Sequence, residues 1–118
     1  MINSLLLNSY STTEYRIGTY LGKPLYRRVF TGTTNVSSSN QALTNTHNIA
    51  KIIGYKGYIE QSSTVQLPIG DTAYWADSGY NMRTRIININ NDLRFDYSHE
   101  VFTGKYFEVS VEYTKTTD

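Results

Sequence analysis

The stretch from Tyr106 to Tyr113 constrains the fold more than any other part of the chain. Phe107, Val109, Val111 and Tyr113 fall on one side of an extended backbone, and Tyr106, Glu108, Ser110 and Glu112 on the other. Alternation of this kind belongs to a half-buried strand of an antiparallel sheet. Its register is protected, because a slip by one residue would bury both carboxylates and expose four apolar side chains. Such a strand needs neighbours for its backbone and a second layer for its apolar face.

Other segments supply them. Pro24 to Thr31 places Tyr26, Arg28 and Phe30 on one face and Leu25, Arg27 and Val29 on the other, so large groups lie on both sides of a predicted strand. Gly32 to Thr46 is rich in Ser, Thr and Asn, with Ser37, Ser38 and Ser39 in sequence, and reads as a loop. Ile49 to Ile59 is interrupted by Gly54 and Gly57. Glycine inside a strand marks a bulge or a close backbone approach, which predicts two short strands or one bent one; a helix over Asn48 to Ile53 is an alternative that Gly54 would stop. Val65 to Pro68 is a short strand ended by proline, and Ile69 to Asn81 a long connection. Arg83 to Ile89 and Leu93 to Tyr97 form a hairpin across Asn90, Asn91 and Asp92, with Ile87 and Ile89 facing as Leu93, Phe95 and Tyr97 do. The sum is an all-β chain, an antiparallel β-sandwich (jelly-roll-like) of six to eight strands.

Composition narrows the function. The 118 residues suit one domain, with residues 1–9 as an N-terminal junction or first strand and residues 10–118 as a single sandwich. There is no cysteine, hence no disulfide framework or thiolate chemistry. Eleven basic and ten acidic residues are spread along the chain, without the electrostatic footprint of a nucleic-acid binder. Apolar runs such as Leu5–Leu7 fall far short of the roughly 20 residues that cross a bilayer, so neither membrane insertion nor an export signal is expected. Eleven tyrosines favour strands first and recognition second.

Two segments bracket the chain. The first contains Tyr10, Ser11, Thr12, Thr13 and Glu14, then Gly22, Lys23, Pro24, Leu25, Tyr26 and Arg27; the second runs from Val109 to Asp118 and includes Glu112-Tyr113-Thr114-Lys115-Thr116-Thr117-Asp118. Together they resemble the C-terminal tip or head domain of bacteriophage tail-fibre and minor tail proteins. Between them, His47 to Ile53 and the Leu67-Pro68 pair follow that family's order. The chain departs from it at Tyr20, where members often carry Trp, and at Leu21-Gly22, where they often carry Asp-Gly. The resemblance implies a non-enzymatic virion protein of the phage tail, assembled in the host cytoplasm, homotrimeric and in contact with other tail proteins.

For a binding site the segment Asp71 to Tyr80 stands out. Tyr74, Trp75, Asp77 and Tyr80 combine aromatic rings with a carboxylate, the mixture that stacks on sugar faces and accepts hydroxyl protons; Trp75 serves equally well as a plug over one end of the sandwich. A host cell-surface saccharide, from cell wall or capsule, is therefore the expected ligand. The alternatives are a purely structural trimerisation or capping module and a cellular carbohydrate-binding module. No catalytic residue, metal or cofactor is expected. His47 and His99 lie far apart, and Asp77 or Asn90, Asn91 and Asp92 do not make a calcium loop. The carboxylate pair Glu108/Glu112 lies on the outward face of a regular strand and Asp92/Asp96 straddles a hairpin arm, and Ser98 and His99 are neighbours that point to opposite faces.

Overall fold

The computed structural model describes residues 10–34, 40–69, 72–75, 80–97 and 104–118, without the side chains of 40, 61, 72–75 and 80–83. The expected junction at 1–9 lies outside the described residues, as do Ser37 to Ser39, Asp77, Ser98 and His99. The strands are β1 (Tyr15–Tyr20), β2 (Lys23–Thr33), β3 (Asn40–Ala42), β4 (Ile49–Ser62), β5 (Val65–Pro68), β6 (Thr72–Trp75), β7 (Tyr80–Ile89), β8 (Asp92–Tyr97) and β9 (Tyr106–Lys115). They form two sheets, ordered β1-β2-β9-β4-β5 and β3-β8-β7-β6, with antiparallel pairing throughout. The fold is an antiparallel β-sandwich. The pairs β2·β9 and β3·β8 wind as in a jelly roll, whereas β4–β5 and β6–β7 pair as local hairpins.

The strand with the clearest alternation occupies the centre of the larger sheet. Phe107, Val109, Val111 and Tyr113 are each at most 1% exposed, and burial of such side chains is worth about 2 kcal/mol apiece. Phe30 of β2, Ile49 and Ile59 of β4, Ile69 after β5, and Ile86, Leu93, Phe95 and Tyr97 of the second sheet complete the core among the described residues. Phe95 and Phe107 join the layers edge to face at 4.7 Å between ring centres.

The glycines of β4 do what their positions suggest. The strand is continuous but irregular, with register shifts against β9 between Ile49 and Lys51 and between Ile52 and Gly54. At Gly57 a Cβ would stand 2.0 Å from the Glu108 carbonyl oxygen, so only glycine lets the two backbones approach.

Three stretches differ from expectation. The Asn90–Asn91 loop has two residues, both with left-handed backbone (φ 53° and 66°), as a tight hairpin turn requires. It pairs Ile89 with Asp92, Asn88 with Leu93 and Ile86 with Phe95. The inward face of β7 therefore carries Ile86, at 4% exposure, and not Ile87 and Ile89, the latter being 38% exposed. Counting Asp92 in the turn displaces the register by one residue and exchanges the faces. The Ser/Thr/Asn-rich region contains β3, and the connection after Ile69 contains β6, paired with the start of β7. These short edge strands are organised by a neighbour's backbone more than by their own pattern.

Asp92 closes the core at the turn. Its carboxylate accepts hydrogen bonds from the His47 backbone N–H and the Thr44 hydroxyl, both 3.0 Å, and the His47 imidazole lies against its other oxygen. Burial raises the Asp92 pKa, but the His47 N–H and the Thr44 hydroxyl outweigh it and hold the carboxyl below its ordinary 3.8. Asp96 pairs with Arg85 at 2.8 Å. Both carboxylates of this pair thus have structural partners.

Candidate functional site

Directly opposed residues of paired strands share a face, so register alone assembles the outer surface of the larger sheet. Arg27, Glu112 and Gly54 form one row across β2, β9 and β4; Val29, Ser110 and Lys56 form the next; Thr31, Glu108 and Tyr58 form the third. Gly54 and Ser110 have little or no side chain, which lowers the floor. The Tyr10 ring lies above it, 4.8 Å from the Arg27 guanidinium carbon and 5.9 Å from the Lys56 nitrogen. The result is a trough of two adjoining depressions, about 280 and 450 Å³, that share Tyr10, Lys56 and Ser110 as lining.

Its polar groups are fixed. Arg27 donates to Glu112 Oε2 through both Nε (3.1 Å) and Nη2 (2.7 Å). Burial works against the Arg27 charge, but Glu112 and Tyr15 more than offset it and raise the arginine pKa. At the other end the hydroxyls of Tyr58 and Tyr106 both donate to Glu108 Oε2 at 2.8 Å. The bond to Glu108, assisted by burial, pushes the Tyr58 phenol up to about 12, so it remains a donor at any physiological pH. In each carboxylate one oxygen is engaged, and Oε1 has no hydrogen-bond partner among the described residues. Rigid aromatic and acceptor groups on a strand face suit holding a polyhydroxylated ligand.

A clasp anchors the rim. The Tyr113 hydroxyl and the Lys115 ammonium both donate to Glu14, while Ser11 and Thr12 carbonyls accept from the Val29 N–H and from Arg28 Nε. Burial first, then Glu14, raises the Tyr113 pKa. The 10–14 segment is thereby tied to β2 and β9, which positions Tyr10 over the trough.

Of the residues expected from sequence to bind, Tyr74 and Trp75 stand on β6 and Tyr80 begins β7, with Trp75 directly opposite Tyr80. They belong to a hairpin at the edge of the second sheet, not to an open loop; Asp77 lies outside the described residues. The trough residues were missed as a group. The signal was the pair of β4 glycines opposite the polar face of β9, legible only once the order β2-β9-β4 is known. Among the described residues no group of three or more His, Cys, Asp or Glu is placed to hold a metal ion. Comparisons of the chain with protein-family models, with curated proteins and with solved structures give no match.

Proposed function

We propose that this chain is a non-enzymatic tip domain of a bacteriophage tail that adheres to a host cell-surface saccharide. The observation that carries the adhesive part is the trough, where aromatic rings and pinned carboxylates stand on the face of a rigid sheet. Its assignment to a phage tail rests on the bracketing segments, and their contact through Glu14, Tyr113 and Lys115 gives those residues a shared structural task. In a homotrimer three weak sites engaging a repetitive polymer would gain about 10² to 10⁴ in avidity.

A structural capping or trimerisation module is the second reading. It is favoured by Leu21, 86% exposed at the β1–β2 turn beside the 39%-exposed Tyr20, an apolar tip suited to another tail protein or a second copy. Light scattering followed by a bacterial surface-polysaccharide array on the same sample separates the two. A trimer that binds a defined glycan family supports adhesion. A trimer silent across the array supports the cap, and a monomer removes the fibre-tip assignment.

A further inference from the structure

We infer that the trough takes an uncharged, linear glycan strand lying along β9. This rests on the adhesive reading above and goes beyond it by naming the face, the direction and the charge of the ligand. Glu108, Ser110 and Glu112 follow one another on the outer face of β9, so the two carboxylates stand about 13 Å apart along the strand. Each offers an Oε1 with no partner among the described residues, while its Oε2 is held by fixed donors. Two oriented acceptors with a hydroxyl between them match a chain that presents hydroxyl donors at intervals, bound through its interior.

The floor has room for it. A Cβ at Gly54 would meet no atom of the described residues within 4 Å, which leaves the space above Gly54 open among them. Tyr10, 54% exposed, supplies a ring for a sugar face. Charge decides against an acidic polymer: Arg27 and Lys56 are balanced by Glu112 and Glu108 within the lining. Glu60 adds a further negative charge near Tyr58 and Tyr106. An anionic strand would meet the two β9 carboxylates, whereas hydroxyl groups would donate to them.

The test is titration of the wild-type protein with neutral polysaccharides (glucans, galactans and rhamnans) and with anionic ones (hyaluronate and teichoic acid), at low and high salt. The expected result is binding of a neutral member with little salt dependence. Gly54→Leu, which places a side chain in the trough, and Glu108→Gln, which keeps the shape and removes the charge, should each weaken binding at least about tenfold. Unchanged circular dichroism and melting would show that the fold is retained, and Glu108→Gln alone suffices if Gly54→Leu does not fold. Preference for an anionic polymer, or wild-type affinity in the folded variants, overturns the inference. If binding survives both variants and is lost in Trp75→Ala, adhesion stands and the β6–β7 hairpin is its site. If the wild-type protein binds nothing, the adhesive reading falls and this inference with it.

Discussion

Leu21, His47, Asn90 and Asn91 all hold left-handed backbone, and the difference between them is chemical. Asparagine tolerates that region, and His47 is compensated by the bonds its backbone and ring make to Asp92. Leu21, with φ 50° and a side chain 86% exposed, has no such compensation among the described residues. Leu21→Asn should therefore raise stability by about 1 kcal/mol, read from urea denaturation. Asp92 governs the acid limb. Its folded pKa lies below the unfolded value of 3.8, so its contribution is complete above about pH 4 and is lost as pH falls through the folded pKa. Asp92→Asn should melt below wild type at neutral pH, and the two curves should converge in acid.

At the scale of the strand, Gly57 fixes how closely β4 and β9 approach. Gly57→Ala would drive a Cβ into the Glu108 carbonyl, and since backbone must move, a loss of about 3 kcal/mol is expected in chemical denaturation. Sequence made β5, β9 and the irregular β4 legible because alternation, a terminating proline and internal glycines act locally. The facing of Ile87 and Ile89 was lost through one residue in a turn count, since the residue after Asn91 belongs to the strand. Short β3 and β6 carry too little pattern to be found without the strands that template them. The trough stayed hidden for a related reason: Arg27, Lys56 and Glu112 are far apart in the chain, and only long-range register brings them into adjacent rows.

For the molecule as a whole, β9 is paired on both sides, to β2 and to β4, at the middle of the five-stranded sheet. Its contacts span much of the chain, from Arg27 with Glu112 to Glu14 with Lys115. Nonlocal pairing of this kind places refolding on the millisecond-to-second scale, which stopped-flow fluorescence would measure; a microsecond phase carrying the full amplitude would contradict the topology. Removal of residues 106–118 should abolish cooperative unfolding, because β1–β2 and β4–β5 would be left as separate hairpins. The same placement matters during translation. Every strand that β9 joins leaves the ribosome before it does, so the nascent chain carries two unfinished half-sheets with bare edges until β9 emerges. A chaperone that shields those edges would have its largest effect in that interval.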